Sequence, residues 1–184
     1  GWTCYNERLS YQTYAVGELL RAGDNTIDIW LGDGWYRSTL MWAANPITNT
    51  WGREIAAIAE ITAGERLLAA TDASWQSGLL PILKSGIYFG EIYDARCENL
   101  PADQGSALHA GFDPAVLIAH EIDGVKELAE LPPIAETNDD EGRTVYDFGQ
   151  NIGGYVAFSV EGERGARVVV EHAEIVDLEG RFNN

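Results

Sequence analysis

The sequence predicts an all-β chain, an antiparallel jelly-roll-like β-sandwich followed by the start of a second β-sandwich. Three observations predict it. Runs of β-branched and aromatic residues recur at short spacing, among them Thr26–Leu31, Tyr155–Val160 and Arg167–Ile175. Gly, Pro, Asn and Asp punctuate the gaps between these runs, as turns require. No heptad or internal repeat appears. With 46% hydrophobic residues and six Trp in 184 positions, the chain has the means to build a packed core. The weakly patterned stretch Leu108–Pro114 divides it into residues 1–112 and 113–184.

Taken in order, Trp2–Val16 alternates aromatic and polar residues and reads as strand material. Glu18-Leu19-Leu20 reads as a short turn of helix ending on Gly23, followed by a turn at Asp24-Asn25. Thr26–Leu31 reads as a strand that Gly32-Asp33-Gly34 breaks, with Trp35-Tyr36-Arg37 in a loop or at a strand start. Ser38–Trp51 holds Asn45-Pro46 and reads as a long loop. Ile55–Thr62 has alanines that suit a helix. The turn Ala63-Gly64-Glu65 and the run Arg66–Ala70 favour a hairpin instead.

Thr71-Asp72-Ala73-Ser74-Trp75 offers an Asx or Ser turn ahead of a Trp, and Ile87–Arg96 reads as a strand. Alternation there puts Ile92, Asp94 and Arg96 on one face, and Glu91, Tyr93 and Ala95 on the other. Asp94 and Arg96 are thus expected to pair, whereas Glu91 and Asp94 do not form an acid/base dyad. Cys97–Pro114 reads as a loop and Val116–Ala119 as a short strand. Ile134–Thr137 and Thr144–Asp147 read as strands around the acidic turn Asn138–Gly142. Tyr155–Val160 and Arg167–Ile175 read as two more, joined by Glu161–Gly165.

Four segments, in this order, carry a family likeness: GWTCYNERLSYQTYAV at the start, LGDGWYRS at Leu31–Ser38, TDASW followed by GEIYDAR within Thr71–Arg96, and DFGQNIGGYV at Asp147–Val156. Together they closely resemble the N-terminal β-sandwich region of bacterial α-L-rhamnosidases, a glycoside hydrolase family, over nearly the whole chain. The resemblance implies a jelly-roll-like first domain and a concanavalin-like or fibronectin-like second one. It also implies a parent that removes terminal α-L-rhamnose from glycosides by inversion, with its acidic catalytic residues in a helical barrel. No segment here looks like that barrel, so no catalytic residue is assigned. The chain opens Gly-Trp-Thr, has Met41 as its one methionine and stops after a strand-like run, so both ends read as cut from a longer protein. Relatives often have Asp at the position of Ala15, and acidic or polar residues near Cys4 and Gly86. These departures weaken the carry-over of a sugar or calcium site.

The balance of 29 acidic against 12 basic residues gives a net charge of −17. That argues against nucleic acid and anionic membranes as partners and suits neutral or cationic ligands; L-rhamnose-containing glycosides, and the missing catalytic barrel of the same polypeptide, are the partners that the resemblance implies. No apolar run is long enough to span a bilayer. Cys4 and Cys97 define no disulfide framework and are read as unpaired rather than bridged. The sugar-binding candidates are Asp33, Trp35, Tyr36, Trp42, Glu91, Asp94 and Arg96. Aromatic rings stack on the apolar faces of pyranoses and carboxylates accept from hydroxyls. Against this stands the structural reading, which is favoured: Trp35 as core, Asp33 as a turn residue and Asp94–Arg96 as an ion pair pinning a strand end. Trp75 has the same double reading, while Trp42, in an irregular segment, is the better candidate for an exposed aromatic. No cofactor is expected. Calcium stays open at Asp24, Asn25 and Asp28, or at Glu91, where oxygen donors cluster, although Asp-Asn also suits a plain turn. His172 and Glu174 share a strand face but lack a third ligand, and no residue is assigned to a metal.

Overall fold

The computed structural model describes residues 3–40, 46–99, 104–105 and 113–177. They are nearly all-β, in small sheets, with a single four-residue α-helix among them. The chain forms two compact units, residues 1–124 and 125–184.

In the first unit, β1 (Leu9–Tyr11) precedes α1 (Gly34–Arg37). Then come β2 (Glu60–Ala63), β3 (Arg66–Ala70), β4 (Gln76–Ser77), β5 (Ile82–Gly86), β6 (Gly90–Tyr93), β7 (Gln104–Gly105) and β8 (Leu117–Ala119). The pairs β2–β3, β5–β6 and β4–β7 are antiparallel, whereas β1 and β8 pair in parallel with Leu9 opposite Leu117. His120 donates its backbone N–H to Tyr11 and extends that last pairing by one bond. The second unit holds the antiparallel hairpin of β9 (Ala135–Asn138) and β10 (Thr144–Asp147).

The expected hairpin across Ala63-Gly64-Glu65 is present, although β2 starts at Glu60 rather than Ile55. The strands at Val116–Ala119, Ile134–Thr137 and Thr144–Asp147 are also present within a residue or so. Other expectations are corrected. Of the expected strand material Trp2–Val16, only Leu9–Tyr11 is a strand among the described residues 3–16, because only those residues meet a partner, β8. In place of a helical turn at Glu18–Leu20 there is a plain turn over residues 17–19, closed by Leu19 N–H to Val16 O at 3.0 Å. Thr26–Leu31 joins no sheet and is exposed, with Trp30 at 70%. Ile87-Tyr88-Phe89 is the β5–β6 turn rather than strand, so the hairpin folds back inside the run that strand propensity made continuous.

Tyr155–Val160 and Arg167–Ile175 are not strands either. Their connection explains it. Ala166 N–H bonds Glu163 O at 2.9 Å and Gly165 has φ +92°, a type II turn. That turn twists against the right-handed twist of paired strands and splays its flanks.

Packing is densest around the end of α1. Ser38 and Leu40 are buried, and Leu40 and Ile47 exchange backbone bonds of 2.8 and 3.1 Å. Tyr5 meets Tyr36 at 5.7 Å and Trp51 edge-on at 5.5 Å between ring centroids. By contrast, hairpin residues such as Leu67, Leu68, Leu83 and Ile92 expose apolar side chains. Two-stranded sheets are marginal alone and gain stability when such faces are covered.

Candidate functional site

The LGDGWYRS segment places three of the sequence candidates. Asp33 precedes α1, and Trp35 and Tyr36 lie on it, so they sit on a helical turn rather than a loop or strand start. The physical reason is an i,i+4 pair. Arg37 Nε donates to Asp33 Oδ1 at 2.7 Å, and Arg37 Nη2 lies 2.6 Å from the same oxygen, pinning one turn end to end. Arg37 Nη1 also donates to Arg53 O at 2.9 Å. Asp33 is therefore engaged by a cation and half-buried. Tyr36 belongs to the aromatic cluster with Tyr5 and Trp51, and burial raises the Tyr5 phenol above its usual value. Trp35 is half-buried, its ring edge-on to Tyr88 at 6.3 Å and 85°. Ser38 Oγ accepts from Ile87 N–H at 3.3 Å, a second link between this turn and the tip of the β5–β6 hairpin.

The GEIYDAR segment places the other group. Glu91 lies on β6, exposed, opposite Ser85. Asp94 and Arg96 do pair, but not as same-face neighbours on a strand. β6 ends at Tyr93, and Asp94 caps the 3₁₀ turn Ala95–Cys97. Its carboxylate accepts from Arg96 N–H at 3.0 Å, Nε at 2.8 Å and Nη2 at 2.6 Å. A capping Asx turn outcompetes continued extension because it satisfies the backbone locally. The hydrogen bond from the Arg96 side chain, then that from its backbone, lowers the Asp94 pKa to about 2. Tyr93 Oη donates to Glu98 at 2.5 Å, and that bond raises the Tyr93 phenol.

The two groups share one hairpin but not one site. Trp35 touches its tip, whereas Asp94 sits at its open end, bonded to Pro81 O at 2.8 Å. Four residues of β6 separate tip from end, roughly 13 Å of strand. Trp42 lies outside the described residues.

The other recognised segments have the same local character. Asp72 accepts from Ser74 N–H at 2.8 Å and Oγ at 2.5 Å, which lowers its pKa, and Trp75 Nε1 donates to Ala70 O at 3.1 Å. Trp75 is half-buried, with its polar edge turned to the backbone. In DFGQN, Asp147 accepts from Gly149 N–H at 2.7 Å. Gly149 has φ +72°, and a Cβ there would lie 2.6 Å from Ile134 Cδ1. Sequence reading anticipated the turn at Asp72 but not the ones capped by Asp94 and Asp147, although the signal is the same: each stands two residues before the backbone N–H it accepts.

Asn25 likewise braces its own turn. It accepts from Arg21 N–H and donates to Arg21 O and Gly23 O, each at 2.9 Å. Among the described residues, no group of three or more His, Cys, Asp or Glu is placed to hold a metal ion, and no helix is long and apolar enough to cross a membrane. Cys4 and Cys97 are free thiols.

An α-L-rhamnosidase of Streptomyces avermitilis is 32% identical over 98% of this chain, which spans 18% of that protein. Those of Formosa agariphila and Alteromonas sp. (strain LOR) are each 27% identical, over 96% and 95% of this chain. The chain spans about a fifth of the length of each of these two, 20%. No solved structure matches the chain. Residues 137–184 match the concanavalin-like domain of bacterial α-L-rhamnosidases. With residues 1–137 matching the α-L-rhamnosidase N-terminal domain, this chain belongs to the α-L-rhamnosidase N-terminal domain family.

Proposed function

We propose that this chain is a non-catalytic β-sandwich portion of an α-L-rhamnosidase that hydrolyses terminal α-L-rhamnose from glycosides. In this reading it forms a jelly-roll-like domain and the start of a concanavalin-like one, and it supports a catalytic barrel of the same polypeptide. The observation that carries the reading is the employment of the motif carboxylates. Asp33, Asp72, Asp94 and Asp147 are each engaged within four residues, by backbone N–H groups, a hydroxyl or an arginine. Glycoside hydrolysis needs two carboxylates facing a cleft, one of them available as an acid. A carboxyl held near 2, as Asp94 is, serves as a fixed anion instead. The apolar hairpin faces support the same reading, since they offer surface for further polypeptide to cover.

A second reading, sugar binding by the chain itself, has the Trp35–Tyr88 pair in its favour. The two half-exposed rings stand nearly perpendicular and form an apolar corner, with Asp33 and Arg37 beside Trp35 in sequence. In this reading Tyr36, Trp42, Glu91, Asp94 and Arg96 would add polar or stacking contacts of their own, Asp94 and Arg96 at the opposite end of the hairpin from Trp35, and calcium would be taken through carboxylate oxygens such as those of Glu91.

One experiment separates the readings. The chain is incubated with 4-nitrophenyl α-L-rhamnoside, then titrated calorimetrically with L-rhamnose with and without calcium. The scaffold reading expects neither nitrophenol release nor saturating heat. Release of nitrophenol would overturn it. Saturating heat that is lost in Trp35→Ala would install the sugar-binding reading, and heat that also requires calcium would add the metal.

A further inference from the structure

The second unit contains a salt bridge that joins segments far apart in sequence. Arg143, just ahead of β10, is held by Asp139 at 2.6 Å through Nε, and its Nη1 lies 3.4 Å from both Glu141 Oε2 and Glu171 Oε2. Among the described residues, β10 pairs with β9 alone, so its other edge carries no ladder. Glu171 lies in Arg167–Ile175, a run with full strand character and exposed Val168, Val169 and Val170.

The salt bridge selects a register. With Arg143 opposite Glu171 and the chains antiparallel, Val145 falls opposite Val169 and Asp147 opposite Arg167. One face of the pair then reads cation–anion, Val–Val, anion–cation. The other face pairs Thr144 with Val170 and Tyr146 with Val168. No competing arrangement does as well. A parallel pairing from the same bridge sets Asp147 opposite Ile175, and an antiparallel slip of two residues sets Val145 opposite Arg167. A slip of one residue turns Glu171 to the opposite face from Arg143.

We propose that Arg167–Glu171 is a strap poised to close on the free edge of β10 as a third antiparallel strand, with the Arg143–Glu171 ion pair as its latch. The latch is already in place and the type II turn at Glu163–Ala166 leaves this segment unclaimed by Tyr155–Val160. Closure covers Val169 with the half-buried Val145 and brings Arg167 to Asp147, whose Oδ1 already accepts from Gly149.

The test is a pair of cross-links in the full chain with Cys4→Ser and Cys97→Ser in the background. Val145→Cys with Val169→Cys is the on-register pair; Val145→Cys with Val168→Cys places the thiols on opposite faces. The on-register pair is expected to oxidise at least about tenfold faster, because facing cross-strand residues approach disulfide geometry and the others cannot. Amide protection of β9 and β10 in both variants reports that the hairpin is intact. In the unlinked chain, Glu171→Ala is expected to abolish slow exchange at Val168–Val170. Equal oxidation of the two pairs, no oxidation of either, or unchanged exchange in Glu171→Ala would each overturn the proposal.

Discussion

Two stretches of the second unit carry the same strand signals and meet different fates. Ala135–Asn138 and Thr144–Asp147 form a hairpin, whereas Tyr155–Val160 and Arg167–Ile175, richer in Val, do not. The difference is in the connections. In the first, Asp139 accepts from Glu141 N–H, Arg143 N–H and Arg143 Nε at 3.0, 2.8 and 2.6 Å, and Gly142 takes φ +77°. The turn is built around one carboxylate. In the second, the turn has its single backbone bond and the wrong hand. Strand propensity thus proposes a pairing, and the turn disposes of it.

The largest effect on this contrast is expected where the paired side is most tightly constrained. Gly149→Ala imposes a side chain on a left-handed residue and drives its Cβ into Ile134, the residue just ahead of β9, which bonds Asp147 O at 2.7 Å. The left-handed penalty is about 1–2 kcal/mol, and the overlap, with the outer end of the exposed Ile134 side chain, adds little to it. Thermal melting should fall by several degrees. An unchanged melt would show that Ile134 moves aside freely.

Next comes the unpaired side. Arg164→Asn creates an Asn-Gly pair at the centre of the turn, which favours type I′ and the twist that paired strands need. Slow amide exchange should then appear across Tyr155–Val160. If it does not, the turn is not what keeps these flanks apart. In the opposite direction, Asp139→Ala should speed exchange throughout β9 and β10. Acid should do the same to the native chain. The Arg143 side-chain bond depresses the Asp139 pKa, so its contribution is present above the ordinary carboxylate value and is lost as pH falls through the depressed one.

These contrasts mark what was legible in the sequence. The all-β class was, because β-branched runs and turn residues are local signals. So were the Asx turn at Asp72 and the pairing of Asp94 with Arg96, since both partners lie within two residues. What escaped was anything set by a distant partner or by turn handedness. Nothing within Thr26–Leu31 says whether a neighbour arrives, and Gly165 alone does not announce a type II turn. Among site residues, Trp35 was legible as an aromatic with two readings. Its partner Tyr88 is 53 positions away and was invisible. The position of Asp94 opposite Pro81 rather than beside Trp35 follows from the hairpin, and its turn, Ile87–Phe89, lay inside the stretch Ile87–Arg96 that read as one strand.

The smallest expected effect sharpens the comparison between capped turns. Asp94 resembles Asp139 in accepting from an arginine and from that arginine's own backbone. It differs in sealing a 3₁₀ turn at a strand end instead of a hairpin connection. Its folded pKa of about 2 lies below the ordinary aspartate value of 3.8, so its contribution to stability is complete above 3.8 and fades as pH falls through about 2. A carboxyl titration followed by NMR should place the Asp94 midpoint near 2 in the native chain and return it toward 3.8 in Arg96→Gln. The turn itself should survive that substitution, because the bond from the backbone N–H at 3.0 Å remains available. If the midpoint stays near 2 without the guanidinium, the backbone N–H holds the anion by itself and the arginine is an ornament of the turn, as many exposed ion pairs are. If the turn opens as well, the arginine anchors the strand end, and Asp94 and Asp139 stabilise their turns in the same way.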